Sequence, residues 1–297
     1  MLQAAALKPL FETPLHHIIN VAAVRQLSPF RYPGGKTWLI PRIRQWLKHP
    51  PAEFIEPFAG GGIVSLTVAA ENLAEHVTIV ELDEQVAAVW QTIFTDNQAE
   101  WLAERIVTFD LTLESLRAEL ARTPQSKREI AFQTILKNRT FHGGILAPGS
   151  APLKNGENGK GVKSRWYAET LKNRLLALAP LRDRITVIHG DAFETIHQHT
   201  TNRDAAFFID PPYSAGGKAA GKRLYTHYEL DHPALFRLMN KAVGEVLMTY
   251  DDDVRIRELA QANGFEAKAV AMKNNHHAEM SELLIGPTLR WLDVSVS

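Results

Sequence analysis

The chain alternates between short apolar segments and amphipathic segments in the order typical of an α/β protein. The apolar segment EFIE leads through glycines into the helical pattern IVSLTVAAENL, and VTIVELDEQVAAVWQTI repeats this plan. Two strand–helix units in succession predict a parallel sheet with helical crossovers. Further strand patterns are ITVIHGD, AAFFIDPPY, EVLMTYDDD, FEAKAVAM and ELLIG, with helical patterns near residues 232–243 and 253–262. We therefore expect a doubly wound α/β fold with a mostly parallel sheet.

The pattern changes between about residues 96 and 180. Charged helical stretches are divided there by a long loop rich in Gly, Lys and Asn, HGGILAPGSAPLKNGENGKGVKSRW. A loop of this length is more often functional than a plain connector. We predict three parts: an N-terminal extension of unknown role (1–27), a sheet-containing domain (28–95 and 181–297) and a mainly helical insertion (96–180).

Composition limits the classes of protein to consider. The 297 residues include no cysteine, which excludes disulfides, thiolate metal sites and a cysteine nucleophile. No apolar run approaches the roughly 20 residues that cross a bilayer, and no signal-peptide pattern opens the chain. The histidine pairs at 16–17, 197/199 and 276–277 lack a framework of acids or cysteines. We expect a cytoplasmic protein with no membrane partner and no metal.

Charge is unevenly distributed although the formal net charge is zero. Residues 50–135 hold 14 acids against 5 bases, whereas residues 137–190 hold 10 bases against 3 acids. A basic segment of this kind favours a polyanionic partner, although it is also compatible with a solvated surface.

A glycine loop follows the first strand pattern. Gly60, Gly62 and Ser65 come near the dinucleotide fingerprint G-x-G-x-x-G/A without matching it. Glu81 closes the second strand pattern 19 residues after Gly62, where an acid commonly accepts hydrogen bonds from ribose hydroxyls. This arrangement suits NAD and S-adenosylmethionine alike. In RYPGGK, Lys36 could pair with a carboxylate, which the methionine half of S-adenosylmethionine carries and NAD does not.

The segment FFIDPPY places an acid, two prolines and an aromatic residue at the carboxyl end of a strand, where parallel sheets bind ligands. Methylation of an exocyclic amine such as adenine N6 needs acceptors for its hydrogens. Asp210 and the Pro211 carbonyl supply them, and the fixed φ of Pro211 and Pro212 orients both. Tyr213 can stack on a base swung out of its duplex.

Taken together, these motifs resemble the D12 class of DNA N6-adenine methyltransferases, the Dam-like alpha group, over residues 28–288. SPFRYPGGK resembles the first cofactor motif, FIEPFAGGG the glycine loop, VELDEQV the ribose-acid strand, and FIDPPY the catalytic motif. NRTFHGGIL resembles the start of the target-recognition region and HGDAFE the segment beside the cofactor adenine. Weaker similarities follow in DHPALFRLM, LMTYDDDVRIREL and SELLIG.

The resemblance implies a Rossmann-like methyltransferase fold with a seven-stranded sheet, S-adenosylmethionine as cofactor and double-stranded DNA as partner, in a monomer or weak dimer. It implies catalysis at Asp210, Pro211, Pro212 and Tyr213. The cofactor contacts it implies are Tyr32, Gly35, Lys36, Phe58, Gly60, Glu81, Asp191 and Asp210. Two departures from the family stand out: Glu81 replaces the commoner Asp, and GGILAPG lacks the Arg-x-Asn pattern of members that read GATC.

The basic residues of the predicted recognition segment are candidates for contact with phosphate or guanine edges. They are Arg31, Asn138, Arg139, Lys154, Lys160, Lys163 and Arg165. We also expect the loop SAGGKAAGKRLYTHY to become ordered over the flipped base.

Three alternatives remain open from the residues. The D-P-P-aromatic chemistry serves adenine in RNA as well as in DNA. The glycine loop and ribose acid also suit a nicotinamide oxidoreductase, and a catalytically silent DNA-binding module would keep the basic segment.

Overall fold

The computed structural model describes residues 21, 23–31, 35–156, 159–212, 229–273 and 279–293, and the structural statements below concern these residues. Their strands form one seven-stranded sheet in the order β3-β2-β1-β4-β5-β7-β6. Strands β1 to β5 are parallel, and β7 lies antiparallel between β5 and β6. The strands are β1 (Glu53–Glu56), β2 (His76–Glu81), β3 (Ile185–His189), β4 (Ala205–Ile209), β5 (Glu245–Asp251), β6 (Glu266–Lys273) and β7 (Glu279–Gly286). The expected fold class is confirmed.

The helices connect the strands and cover both faces of the sheet. A short 3-10 helix, Lys36–Leu39, leads into the first α-helix. The α-helices are α1 (Ile40–Trp46), α2 (Ile63–Ala70), α3 (Glu84–Phe94), α4 (Ala99–Thr108), α5 (Leu113–Ala121), α6 (Lys127–Thr140), α7 (Ala168–Leu178), α8 (Ala192–His199), α9 (His232–Met239) and α10 (Val254–Ala262). None of them is long and apolar enough to cross a membrane.

The alternation of side chains along the strands divides the core into two layers. All five residues of β4, AAFFI, are buried, as expected for a central parallel strand covered on both faces. Phe208 belongs to the apolar cluster that includes Phe54 and Trp90, whereas Phe207 belongs to the cluster on the opposite face. Neighbouring side chains of a strand point to opposite faces, so the run of phenylalanines fills both layers.

Helices α4 to α7 lie between β2 and β3 in the chain, within the segment predicted to be the helical insertion. Their buried residues, including Leu102, Leu136 and Leu171, belong to the same apolar cluster as Val89 of α3. The insertion is therefore continuous with one layer of the core. Its boundaries at residues 96 and 180 stay a prediction.

Gly244, directly before β5, tests the close packing of the central strands. A Cβ atom there would overlap the carbonyl oxygen of Ala205 and lie 2.9 Å from that of Asn202. We expect Gly244→Ala to lower the free energy of unfolding by about 1–3 kcal/mol, because neither backbone oxygen can move without disturbing β4. Denaturant unfolding followed by circular dichroism measures this change.

Gly190→Ala is the matched control, since its Cβ would be 3.5 Å from the nearest atom, Ile188 Cγ2. It should leave stability almost unchanged. Equal stability of both variants would contradict the packing described for β4 and β5.

Candidate active site

The carboxyl ends of the parallel strands lie along one edge of the sheet. The strand order reverses between β1 and β4, and such a reversal opens a crevice at that edge. Five residues of interest lie at or near the carboxyl ends of β1, β2, β4 and β5: Glu56, Gly60, Glu81, Asp210 and Thr249. The fold therefore brings together residues that are up to 193 positions apart in the sequence.

A buried ammonium group connects this edge to two acids. Lys36 Nζ lies 3.0 Å from Asp210 Oδ1 and 2.9 Å from Glu282 Oε1. Lys36 and Glu282 are only 4% and 2% exposed. Burial alone lowers the pKa of Lys36, but the charges of Asp210 and Glu282 outweigh burial and raise this pKa above its ordinary value. Lys36 is therefore a cation that is engaged by carboxylates of the protein itself.

Asp210 has a second donor on the neighbouring strand. Ile209 is paired with Met248 in the β4–β5 register, which places Thr249 beside Asp210. Thr249 Oγ1 donates a hydrogen bond of 2.7 Å to Asp210 Oδ1. Both described donors to this carboxylate thus contact the same oxygen atom. The carboxyl group is held from one side.

The glycine loop after β1 is held by a buried tryptophan and an acid. Gly60 N donates to Glu81 Oε2 at 2.8 Å, and Trp90 Nε1 donates to the Gly60 carbonyl oxygen at 3.0 Å. Gly62 has φ 61°, and a Cβ atom there would be 3.1 Å from the Trp90 ring. Both the left-handed backbone and the close ring favour glycine at residue 62.

Glu81 accepts backbone hydrogen bonds on both carboxylate oxygens. Besides Gly60 N, Asp83 N donates to Oε1 at 2.9 Å. Burial raises the pKa of Glu81 to about 7, although these N–H groups act in the opposite direction. The charge of Glu81 therefore changes near neutral pH.

Glu56 is a second carboxyl group with a raised pKa. It is 4% exposed, and Oε2 accepts a hydrogen bond of 2.9 Å from Ser65 N at the start of α2. Burial raises the pKa of Glu56 to about 8, and the charge of Asp210 contributes in the same direction. Glu56 is therefore mainly protonated at neutral pH.

The model of the D12 class of N6 adenine-specific DNA methyltransferases matches residues 32–275 of this chain. The chain belongs to this family. The matched range includes Lys36, the glycine loop and Asp210, whereas Glu282 lies beyond its end. The nicotinamide oxidoreductase alternative is not supported.

Comparison with individual proteins gives a relative and two structural neighbours. The chain is 24% identical to Type II methyltransferase M.MjaIII of Methanocaldococcus jannaschii over 241 residues, which are 72% of this chain and 78% of that protein. A putative RNA methyltransferase, PH1948 from Pyrococcus horikoshii, has a TM-score of 0.38 at 10% identity, covering 86% of this chain and 83% of that one. The rRNA methyltransferase aviRa from Streptomyces viridochromogenes has a TM-score of 0.38 at 14% identity, covering 86% of each chain. As a member of the D12 family, the protein is a DNA adenine methyltransferase.

The remaining predicted cofactor residues have different surroundings. Gly35 is exposed directly before the 3-10 helix, and Phe58 is half-buried against the cluster that contains Phe207. Asp191 follows β3 and caps α8, where its Oδ1 accepts a hydrogen bond of 2.6 Å from Phe193 N. Tyr32 lies outside the described residues.

Only part of the predicted catalytic segment can be described. Pro211 is buried and Pro212 is half-buried. Tyr213 and the loop that follows it lie outside the described residues, so the predictions for both stay predictions.

The predicted DNA contacts divide into surface and interior residues. Lys154, Lys160 and Lys163 are exposed and Arg165 is half-buried, whereas Arg139 is 4% exposed.

Asn138 joins the insertion to the segment before the buried lysine. It is fully buried; its Oδ1 accepts from Arg31 N at 2.8 Å, and its Nδ2 donates to Arg31 O at 2.9 Å and to Gly144 O at 2.7 Å. All hydrogen-bonding groups of this side chain are thereby used within the protein. These contacts position the backbone of Arg31.

Sequence reasoning missed three residues of the candidate site: Glu56, Thr249 and Glu282. Each lies inside a motif that was recognised as a whole. An acid in the apolar strand SELLIG and an acid directly before PFAGGG are the signals that could have identified two of them, since buried acids require partners. Thr249 has no such signal, because threonine is common in strands.

Among the described residues, no group of three or more His, Asp or Glu side chains is placed to hold a metal ion.

Glu56 predicts a specific dependence of stability on pH. Its pKa is about 8 in the folded chain, against an ordinary value of 4.5. Between these two pH values, Glu56 takes up a proton when the chain folds. The stability that Glu56 contributes is therefore fully present below pH 4.5 and is lost as the pH rises through 8. Glu56→Gln mimics the neutral form at every pH. The free energy of unfolding of Glu56→Gln minus that of the wild type should rise with pH in this window, by up to about 1.4 kcal/mol per pH unit.

Denaturant unfolding of both proteins at several pH values between 5 and 8 measures this difference and cancels the contributions of other groups. A difference that is constant with pH would contradict a neutral Glu56.

Proposed function

We propose that this D12 enzyme uses S-adenosylmethionine to methylate adenine N6 at a specific short sequence in double-stranded DNA, after swinging the base out of the duplex. The observation that carries the proposal is the position of Asp210. It lies at the reversal of the strand order, held by Lys36 and Thr249, next to a glycine loop fixed by Glu81.

The described residues fit the proposed cofactor. Glu81, at the end of β2, would accept hydrogen bonds from the ribose hydroxyls, as acids at this position commonly do. The loop at Gly60 and Gly62 lets the backbone come close to a ligand because neither residue has a side chain. Phe58 and Asp191 would border the cofactor adenine, and Tyr32, Gly35 and Lys36 its methionine half. When bound, S-adenosylmethionine supplies an electrophilic methyl group on a sulfonium.

The charge of the site also fits a cationic cofactor. Lys36 is paired with two acidic side chains, so the acids of this cluster outnumber its base by one. A sulfonium and an α-ammonium group would be attracted to this surplus. The methionine carboxylate would share Lys36 with Asp210 and Glu282.

Asp210 and Pro211 would act on the adenine amino group. The N6 lone pair is delocalised into the ring, so the amine needs acceptors for its two hydrogens before it can attack. The Asp210 carboxylate and the Pro211 carbonyl supply these acceptors, and the rigid Pro211–Pro212 pair fixes their directions. Tyr213 would stack on the flipped base.

Thr249 and Glu282 would act as positioning residues. Thr249 donates directly to Asp210 Oδ1, and Glu282 fixes Lys36, which contacts the same oxygen. Because both donors occupy Oδ1, we assign the N6 hydrogen bond to Oδ2.

The basic residues of the insertion would bind the DNA. The exposed Lys154, Lys160 and Lys163 suit phosphate contacts, and Arg165 and Arg31 suit phosphate or guanine edges. Asn138 would serve the interface by holding Arg31. The proposed oligomeric state is a monomer or weak dimer.

Asp210→Ala tests the proposed function. We expect methyl transfer to fall at least about 100-fold, because the amino group loses one of its acceptors, while binding of S-adenosylhomocysteine is largely retained. Transfer of a radiolabelled methyl group to unmethylated genomic DNA, and to RNA of matched sequence, measures activity. Calorimetry measures cofactor binding.

The matched control is Asp204→Ala, an exposed acid before β4 at the opposite edge of the sheet; it should keep full activity. Substantial activity of Asp210→Ala would refute the catalytic role. Transfer by the wild type to RNA but not to DNA would refute the substrate.

Thr249→Val tests the positioning role, since it removes the hydroxyl and keeps the shape. We expect kcat to fall about 10-fold with KM for the cofactor nearly unchanged, because one hydrogen bond to a charged group contributes about 1.5–3 kcal/mol. Thr249→Ser keeps the donor and should restore most of kcat. If Val and Ser lower kcat equally, the hydroxyl does not position Asp210.

A further inference from the structure

Tyr167 combines two unusual properties where α7 begins. Its backbone is left-handed, with φ 37° and ψ 56°, which is unfavourable for residues that have a Cβ atom. Its side chain is 55% exposed. The other non-glycine residues with positive φ in the described ranges are Asn72 and Asn97, and asparagine tolerates this conformation better than tyrosine. The strain therefore occurs at an exposed aromatic residue.

The turn itself does not require this ring. The preceding residue, Trp166, is 7% exposed and packs edge-on against Phe109 with 6.3 Å between ring centroids. The left-handed turn thus directs one aromatic side chain inward and the next one outward. Glycine or asparagine at residue 167 would allow the same turn with less strain. Burial of Trp166 explains why the chain turns here. It does not explain why the exposed residue that follows, Tyr167, is aromatic.

Three arginines meet near the same part of the surface, around the segment 28–31. Arg31 belongs to it, and Arg174 Nη1 donates to the Ser28 carbonyl at 2.8 Å. Arg139 follows Asn138, whose amide binds the backbone of Arg31. Two of the three guanidinium groups come from the insertion, so the insertion and this segment share one basic site.

The charge of Arg139 is not neutralised within the described part of the chain. No salt bridge joins Arg139 or Arg174 to an acid there, and Arg139 Nε is buried without a hydrogen-bond partner. An uncompensated buried cation is unfavourable unless an anion approaches it.

Tyr167 and Arg174 are at positions i and i+7 of α7 and its N-cap, and therefore lie on one face of this helix; electrostatic coupling connects Tyr167 with Arg139 as well. Burial, followed by the charges of Arg174 and Arg31, lowers the pKa of Arg139 to about 9, and Tyr167 acts in the opposite direction. Arg139 therefore stays charged at neutral pH, and the four side chains share one electrostatic environment.

We propose that Tyr167, Arg31, Arg139 and Arg174 form a DNA-contact site, in which the Tyr167 ring stacks on a nucleobase and the arginines attract the adjoining phosphates. Arg31 and Arg174 are half-exposed and suited to direct contact, while Arg139 adds positive potential from behind them. A simple anion would use the charge but not the ring. A nucleic acid uses both, since every base has a π-face beside a phosphate.

The site rests on the proposed function, because a base leaves its stacked position when the duplex is distorted for flipping. It adds to that function a residue, Tyr167, and a cation, Arg174, that the sequence motifs do not indicate.

Tyr167→Gly separates contact from stability. Glycine adopts the left-handed turn readily, so the variant should have a Tm equal to or above that of the wild type. Its affinity for DNA should fall by about 10-fold, as expected for the loss of one stacking contact. Fluorescence anisotropy with a labelled fragment of unmethylated plasmid DNA, in the presence of S-adenosylhomocysteine, measures the affinity.

Asn97→Gly is the matched control, since it changes another exposed left-handed residue to glycine and should leave DNA affinity unchanged. Tyr167→Phe keeps the ring and should bind DNA as the wild type does. Tyr167→Asn also tolerates the turn and lacks the ring, so it should lose as much affinity as Tyr167→Gly; binding like that of the wild type would attribute the Tyr167→Gly result to a loosened α7. Arg174→Gln should reduce the slope of log K against log [salt] by about one.

The outcomes distinguish this site from the proposed function. If the wild type methylates DNA and Tyr167→Gly binds it equally well, the site is refuted and the function stands. If Tyr167→Phe loses as much affinity as Tyr167→Gly, stacking is refuted. A loss of S-adenosylhomocysteine binding in the Tyr167 or Arg174 variants would assign these residues to the cofactor instead. A wild type that binds no DNA would refute both proposals together.

Discussion

A buried ion pair network centred on Lys36 Nζ connects three distant parts of the chain. It joins the segment before α1 to Asp210 after β4 and to Glu282 on β7. Removing one partner from a buried ion pair costs about 3–5 kcal/mol, because it leaves an uncompensated charge. The same arrangement explains why the antiparallel β7 matters for the site: its register places Glu282 opposite Asp251, at the end of β5.

This network also explains the unequal behaviour of the carboxyl groups nearby. Asp210 and Glu282 share an ammonium group, whereas Glu56 receives a backbone N–H and lies in the field of Asp210. Burial is the main cause that raises the pKa of Glu56 to about 8, and a third negative charge beside those of Asp210 and Glu282 would be unfavourable. At this edge of the sheet, the uncharged carboxylic acid of Glu56 thus lies near the Asp210 carboxylate, which Lys36 and Thr249 hold in place.

The sequence predicted the elements better than their contacts. Strand and helix patterns located β4 and α10, because side-chain periodicity directly reflects burial. The motifs located Lys36, Gly60, Glu81 and Asp210. Their pairing was not predictable, since it depends on strand order and register. A lysine expected to meet a cofactor carboxylate also contacts two protein carboxylates, and an asparagine expected among the DNA contacts is fully buried, with its amide bonded to the backbone of Arg31.

The clamp formed by Asn138 has a consequence for exchanging recognition segments between related enzymes. Its one amide group satisfies both backbone polar groups of Arg31, five residues before the buried lysine. A transplanted segment without an equivalent amide would remove both of these partly buried hydrogen bonds, and such losses are costly. Modular replacement of the insertion therefore has to preserve this one side chain, whatever DNA sequence the new segment reads.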